Sequence, residues 1–170
     1  MKTLALLSIS LCAFGQIGEI NDAPQHVLAV GMTGGASRAD FGGYFGFGEK
    51  LPGTTATYSY TGATFVPALQ VLPNGSRALR VTPVVATGLK QIVFQRDRFT
   101  VAVDAGAGAS LPSSGTTAFN FAAVGGADLA WRVHKDLRAE NHYLTFSPRA
   151  SQTPFGTVVT FGVGFAWGSR

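Results

Sequence analysis

The stretch that decides the fold is Thr157-Val158-Val159-Thr160-Phe161-Gly162-Val163-Gly164-Phe165-Ala166-Trp167, near the end of the chain. Most of its odd positions are large and apolar, whereas its even positions are mostly small. Alternate residues of a strand point to opposite faces, and a strand at the surface of a soluble sheet carries polar residues on its outer face. The small face here has no charge to meet water. The pattern predicts a transmembrane barrel strand, with bulky side chains toward lipid and small ones toward the lumen.

The composition of the whole chain also indicates an apolar surrounding. The chain has 170 residues, enough for one domain, of which only 13% are charged and 22 are glycine. Its mean hydropathy is +0.22, and this combination is unlike an average soluble domain. The net charge of +4 is spread thinly without a Lys/Arg cluster, which argues against a nucleic-acid partner. No segment has 18 uninterrupted apolar residues, so any membrane span is expected to be a strand.

The N-terminus predicts export. Lys2 precedes an apolar run over residues 4–14, and Ala13 and Gly15 stand at the two positions that a signal peptidase reads. We therefore expect a signal peptide over residues 1–15, a short periplasmic segment over 16–25 and a barrel domain over 26–170. The single cysteine, Cys12, lies inside the predicted signal peptide. The exported chain would then depend on backbone pairing and core packing, without a disulfide.

The alternation of apolar and small or polar residues predicts eight strands. Short charged turns and longer Gly/Ser/Pro/Asn segments alternate between them, as in an up-and-down barrel whose short turns collect at the periplasmic rim. The predicted fold is therefore all-β, an eight-stranded antiparallel up-and-down transmembrane β-barrel. The predicted strands are His26–Thr33, Asp40–Gly48, Thr54–Val66, Arg77–Val93, Phe99–Ser110, Ala118–Arg132, Leu137–Phe146 and Gly156–Trp167.

The ionisable residues of the predicted strands fall mainly on the face opposite the aromatic residues. An Arg on the lipid face costs ~2–4 kcal/mol at the bilayer midplane, whereas a lumen charge can pair with an opposite one. An eight-stranded barrel has an interior that side chains can fill, so we expect a structural network there, with a narrow pore as the alternative. Asn141 falls on the lipid face in this assignment, which either a position near the rim or a local bulge that shifts the phase would explain. The predicted lumen network comprises Arg80, Asp104, Asp128, Arg132, Arg138, Glu140 and His142.

Three segments carry a resemblance to a known family. Residues 124–132, Leu137-Arg138-Ala139-Glu140 with Tyr143, and the closing strand resemble the small outer-membrane β-barrel family that includes the OmpA and OmpX barrels. The resemblance implies a location in the bacterial outer membrane. The closing strand also resembles the signal read by the barrel-assembly machinery, which implies that machinery as a partner. The residues that carry this second resemblance are Thr160, Gly162, Phe165 and Trp167.

Lipid A-modifying enzymes, such as the deacylase barrels, also resemble this chain in size. Of its histidines, His26, His134 and His142, only the last has an acidic residue, Glu140, two positions away on the same predicted face. The deacylase family places a Ser two residues after its His, and Leu144 occupies that position here. We therefore expect a protein that is not an enzyme and that has no catalytic residue, cofactor or metal. A deacylase-like enzyme is the alternative.

The expected role is structural or surface-interacting, in envelope integrity or adhesion, with a monomer as the functional unit. Its expected partners are the lipids of the outer membrane. Three arginines in or beside the predicted outer loops, Arg38, Arg77 and Arg149, could contact lipopolysaccharide phosphates, since Arg forms bidentate bonds with phosphate. A secreted soluble barrel that encloses an apolar ligand is a third interpretation, which the aromatic outer face disfavours.

Overall fold

The computed structural model describes residues 23–35, 41–71, 74–110, 120–135, 141–153 and 156–169. They form a closed antiparallel barrel of eight strands, which confirms the predicted fold class. No helix in these residues is long and apolar enough to cross a membrane. The strands are β1 His26–Gly35, β2 Phe41–Lys50, β3 Thr57–Val71, β4 Arg77–Arg96, β5 Phe99–Ser110, β6 Asn120–Lys135, β7 Asn141–Thr153 and β8 Gly156–Ser169.

Each strand pairs with the next in the chain, and antiparallel pairing of β1 with β8 closes the barrel. In this closing pair Val30 lies opposite Phe165, and Gly31 lies opposite Gly164. We call the end where β1 begins and β8 finishes the turn end, and the opposite end the loop end. Asp97 and Arg98 form a tight turn at the turn end between β4 and β5, with Asp97 at a φ of 51°. Asp is one of the few residues that accept this left-handed conformation.

The outer face of the barrel is apolar. Among the described side chains, large apolar residues with 38–68% of their surface exposed occur on every strand except β5. Charged strand residues on this face occur, in the same described set, only near the turn end, at Glu49 and Arg96. The exposed apolar residues are Leu28, Val30, Met32, Phe45, Phe47, Phe65, Val85, Leu89, Phe121, Trp131, Val133, Leu144, Phe146, Val159, Phe161, Val163, Phe165 and Trp167.

The inner face combines tyrosines with glycines, and Tyr44 of β2 shows why. Its hydroxyl lies 3.0 Å from Thr145 Oγ1 on β7, so the side chain reaches across both β1 and β8. A Cβ atom on Gly31 would lie 2.5 Å from the Tyr44 ring, and one on Gly164 would lie 2.6 Å from its hydroxyl. These glycines let the ring lie close against the closing pair of strands. The small face seen in the sequence of β8 is therefore space that a tyrosine of β2 occupies.

Strand β7 differs most from the sequence prediction. Over the described residues it covers Asn141 to Thr153, so it continues seven residues past the predicted end at Phe146, and its faces are reversed. The predicted start at Leu137 lies outside the described residues. Asn141 and Tyr143 are 1% and 7% exposed and point inward, whereas Leu144 is 42% exposed and points outward. The pairing of β6 with β7 is irregular between Arg132 and His134. A shift of one residue at such an irregularity turns every following side chain to the other face, so alternation in β6 could not be continued across the turn.

Candidate functional site: the interior ion cluster and the ends of the barrel

Four charged side chains meet inside the barrel, one from each of the consecutive strands β4 to β7. We call Lys90, Asp104, Asp128 and Arg149 the interior ion cluster. The guanidinium group of Arg149 donates to Asp104 Oδ1 at 2.9 Å through NH1 and to Asp128 Oδ1 at 3.2 Å through NH2. The ammonium group of Lys90 binds the other carboxylate oxygen of Asp128. Two cations therefore hold two carboxylates in one connected group.

Strand register places Lys90, Asp104 and Arg149 in one row across the sheet, with Asp128 two residues from that row on β6. Lys90 lies opposite Asp104, which lies opposite Gly126, which in turn lies opposite Arg149. Gly126 is the residue that lets Arg149 reach Asp104 over the intervening strand. A Cβ atom on Gly126 would lie only 2.8 Å from Cγ of Arg149, so a side chain there would displace the arginine.

The cluster is electrically balanced and largely removed from solvent. The side chain of Asp104 is 0% exposed, and those of Asp128 and Arg149 are 14% and 19% exposed. An unpaired charge at such positions costs several kcal/mol of desolvation, about as much as the mutual attraction of a well-oriented pair restores. Lys90 also lies 5.7 Å from the ring centroid of Tyr60, within the range of a cation–π contact. The charges therefore have partners on several sides.

The residues just before β1 cap the turn end of the interior. Pro24 is buried, and its carbonyl accepts a 2.8 Å hydrogen bond from the hydroxyl of Tyr58, which is 2% exposed. The backbone of Gln25 bonds to Ser169 at 2.7 Å and accepts a 2.8 Å bond from the Lys50 N–H. Beneath this cap lies a small apolar core of Ala56, Tyr58, Ile92 and Ala102. The chain thus closes its own turn-end mouth.

A cavity of about 350 Å³ remains in the interior, from Pro24 at the cap to Thr64 and Thr160 nearer the loop end. Lys90, Asp128 and Arg149 all line it. The interior ion cluster therefore narrows the lumen without filling it, which corrects the expectation of a lumen packed full by charged side chains. The physical reason is the number of small inward residues, since Gly and Ala occupy positions where larger side chains would meet.

The outer face near the turn end carries a ring of aromatic and histidine side chains. The ring planes of His26 and Phe47 are nearly parallel, with ring centroids 6.1 Å apart. The rings of His134 and His142 pack edge to face, with ring centroids 5.7 Å apart. These three are the only histidines of the chain. Trp167 lies opposite His142 in the pairing of β7 with β8. Every histidine therefore belongs to this outer ring, and none lines the cavity.

Two of the residues predicted for the lumen network, Asp104 and Asp128, lie in the interior ion cluster. Arg132 lies on the same face of β6 as Asp128 but near the turn end, where its guanidinium group donates to the Asp97 carbonyl at 2.9 Å. Arg132 therefore stabilises the β4–β5 turn and makes none of the contacts of the cluster. Its distance along β6 from Asp128, four residues, explains this because a strand rises about 3.3 Å per residue.

The prediction for His142 is wrong, because the reversed faces of β7 place it on the outer surface beside His134. The same reversal explains Asn141, which is buried inside rather than exposed to lipid. Backbone pairing places Arg80 in β4, opposite Ala68, and its side chain is not among those that the structure describes. Arg138 and Glu140 lie outside the described residues.

The predicted lumen network includes neither cation of the cluster, Arg149 nor Lys90. Arg149 was predicted to lie in or beside an outer loop, where it could contact lipopolysaccharide; the predicted location is wrong because β7 continues to Thr153. Lys90 lies in a predicted strand, and its alternation with Leu89 already indicated an inward position. Of the other two proposed lipopolysaccharide contacts, Arg38 lies outside the described residues, and Arg77 begins β4 with its side chain undescribed.

The four residues that resemble the assembly signal lie on both faces of β8. Phe165 and Trp167 point outward and are 54% and 38% exposed. Gly162 points inward, where a Cβ atom would lie 3.0 Å from the Tyr44 ring, and Thr160 lines the cavity. In the part of the chain that the structure describes, no group of three or more His, Cys, Asp or Glu side chains is placed to hold a metal ion.

Comparison with known proteins shows the fold. No family model matches the chain, and no curated protein matches it. Among solved structures the barrel is similar to the Yersinia pestis outer membrane protein Ail, determined in a phospholipid bilayer nanodisc, with a TM-score of 0.59. The alignment covers 85% of this chain and 98% of that chain at 9% sequence identity. At this identity, the similarity establishes the shared architecture.

Proposed function

We propose that this chain is an integral protein of a bacterial outer membrane with a structural or surface-interaction role. The observation that carries the proposal is the inverted distribution of polarity, with exposed large apolar side chains around the closed barrel and the interior ion cluster within it. Soluble monomers rarely expose contiguous apolar patches of more than a few hundred Å². In a bilayer the same apolar surface faces lipid tails and is favourable. Closure of the barrel pairs the first strand with the last, so no strand edge is left with unpaired backbone N–H and C=O groups.

The outer ring of aromatic and histidine side chains supports an orientation. Rings of this kind lie at membrane–water interfaces, where one part of the side chain is apolar and another is polar. We propose that the turn end faces the periplasm and the loop end faces the exterior. The N-terminal residues 1–15 would act as a cleaved signal peptide. The chain would then belong to the OmpA-like and OmpX-like barrels that its sequence resembles.

We further propose that the barrel neither conducts ions nor catalyses a reaction. The cap at Pro24 supports a lumen that is closed at the turn end, and the interior ion cluster narrows the lumen further along. The location of all three histidines outside the cavity supports a non-enzymatic role, since Ser147 points inward while His142 points outward. Specific contacts would then form at the loop end, with lipopolysaccharide or a surface partner, and the unit would be a monomer.

We also propose that β8 is the segment that the barrel-assembly machinery recognises, because its Phe165 and Trp167 side chains are exposed on the outer face. Replacement of Trp167 by Ala should lower the amount of folded protein in the outer membrane of cells. Spontaneous refolding of the same variant into lipid vesicles should change much less. Equal loss in both assays would contradict recognition by the machinery.

Fractionation tests the central proposal. The full chain, expressed in a Gram-negative host, should separate with the outer membrane and migrate faster on a gel when it is loaded unheated than after boiling. Recovery as a soluble periplasmic protein would refute it. Single-channel recordings on the purified barrel should show no conductance steps, and the lipid A of the expressing cells should keep its mass. Stable conductance steps would refute the proposal that the lumen is closed. A changed lipid A mass would refute the proposal that the protein is not an enzyme.

A further inference from the structure

A groove lies on the outer face near the turn end, beside the tight turn that joins β4 to β5. Phe94, Phe99 and Trp131 line it, with ring centroids 6.4 Å apart for the first two and 6.1 Å apart for the last two. The turn residues Arg96, Asp97 and Arg98 form its polar side. The groove therefore joins an aromatic wall to a charged rim.

The rim is strongly cationic. Arg96 and Arg98 are exposed, and Arg132 reaches the same turn through its 2.9 Å bond to the Asp97 carbonyl. Among the residues that line the groove, Asp97 supplies one carboxylate against the two guanidinium groups of Arg96 and Arg98. Its closest approach to Arg96 is a loose 3.9 Å, with both side chains more than 80% exposed, and such surface pairs contribute little. The rim is thus left with excess positive charge that its own residues do not neutralise.

We propose that this groove binds an anionic phospholipid, with the headgroup phosphate on Arg96 and Arg98 and the acyl chain along the aromatic wall. The proposal rests on the proposed membrane location and names one lipid class for the leaflet that faces the turn end. Arginine forms planar, bidentate bonds with phosphate oxygens. Aromatic side chains hold the boundary between headgroup and acyl chain. A phospholipid carries both chemistries in one molecule.

The opposite part of the turn end provides an internal comparison. There the aromatic contact between His26 and Phe47 lies near Glu49 and Lys50, whose charges cancel. Trp167 likewise belongs to the outer ring without an arginine turn next to it in the described residues. The chain has two tryptophans, Trp131 and Trp167. Trp131 fluorescence therefore reports on lipid in the groove, and Trp167 fluorescence reports on lipid elsewhere around the outer ring.

The test uses the full barrel in phosphatidylcholine nanodiscs that contain a small, equal fraction of either brominated phosphatidylglycerol or brominated phosphatidylcholine. Bromine on the acyl chain quenches nearby tryptophan fluorescence. The variant Trp167→Phe leaves Trp131, which phosphatidylglycerol should quench more than phosphatidylcholine does. The variant Trp131→Phe leaves Trp167, which lies three strands from the turn that carries Arg96 and Arg98, so its quenching by either lipid should not depend on these two arginines. Each nearby arginine should enrich the anionic lipid roughly fivefold.

The double variant Arg96→Gln/Arg98→Gln, made in the Trp167→Phe background, should remove the excess quenching by phosphatidylglycerol. The matched variant Lys50→Gln should leave that excess unchanged. Equal quenching of Trp131 by the two lipids, or an excess that survives the double variant, would overturn the site. Loss of the excess in phosphate buffer, but not in chloride of equal ionic strength, would identify free phosphate as the ligand and overturn the lipid assignment. Quenching of neither tryptophan by either lipid would contradict the membrane location, and with it the site.

Discussion

Replacement of Arg149 by Met tests whether the interior ion cluster stabilises the barrel. In the structure Arg149 bonds to both carboxylates, at 2.9 Å to Asp104 and 3.2 Å to Asp128. Methionine keeps much of the side-chain volume and removes the charge. Asp128 would keep its contact with Lys90, whereas Asp104, whose side chain is 0% exposed, would lose the only ion-pair partner that the described residues give it.

The expected loss of unfolding free energy in Arg149→Met follows from the difference between Asp128, which keeps a partner, and Asp104, which loses one. Removal of one member of a buried pair costs 3–5 kcal/mol because it leaves an unpaired charge in a poorly solvated place. Since Lys90 remains and three of the four side chains are partly solvated, we expect about 3 kcal/mol, near the lower limit of that range. The measurement is the free energy of unfolding in urea, followed by tryptophan fluorescence of the barrel in lipid vesicles.

Two further variants make the prediction sharp. Arg149→Met combined with Asp104→Asn restores electrical balance, so the double variant should be more stable than Arg149→Met alone. Arg132→Met removes a guanidinium group whose bond within the described residues goes to a backbone carbonyl at the turn end, and it should cost less than about 1 kcal/mol. A cost below about 1 kcal/mol for Arg149→Met, or further destabilisation by Asp104→Asn, would refute the reasoning.

Three other predictions concern the faces of the barrel. Leu89→Arg places a charge on the outer face at the height of the interior ion cluster and should cost ~2–4 kcal/mol in vesicles, whereas Val133→Arg at the turn end should cost ~0–1 kcal/mol; equal costs would argue against a bilayer around the barrel. Gly164→Ala puts a Cβ atom against the carbonyl oxygen of Val30 on β1, far inside van der Waals contact, and should cost ~1–3 kcal/mol, while Gly46→Ala, with its nearest atom at 3.9 Å, should refold like the unchanged chain. Tyr44→Phe removes the hydrogen bond to β7 and should lower the free energy of unfolding by about 1 kcal/mol, and an unchanged urea midpoint would show that this bond contributes nothing.

The fold could be predicted from the sequence because barrel strands leave a local record. Alternation of large and small residues in β8 indicates two different surroundings within eleven positions, and the same alternation recurs in β5. Predicted β5 has the observed bounds, Phe99 to Ser110, because the charged residues before it and the Gly/Ser/Pro segment after it mark both ends. Asp104 and Asp128 were placed inward by the same rule. Local periodicity is enough to assign these residues to the inner face, because successive residues of a strand point to opposite faces of the sheet.

The partners of those carboxylates could not be predicted in the same way. Arg149 is 45 residues from Asp104 in the chain, and it reaches that residue only because Gly126 leaves the intervening position empty. Its inward direction depends on the phase of β7, which the irregularity between Arg132 and His134 resets. Nothing in the local sequence gives the size of that shift. The prediction for His142 failed because it took the ionisable residues of β7 as the inward set, whereas Asn141 and Tyr143 point inward.

The sequence by itself determined that this chain forms strands with one apolar and one small or polar face, and that the apolar face surrounds the barrel. The tertiary structure decided which charges pair, how Tyr44 spans the closing strands, and that Pro24 caps the turn end. The first set of properties depends on alternation within each strand, which the backbone geometry fixes locally. The second depends on register between strands, where a shift of one residue exchanges the two faces and gives every charge different neighbours.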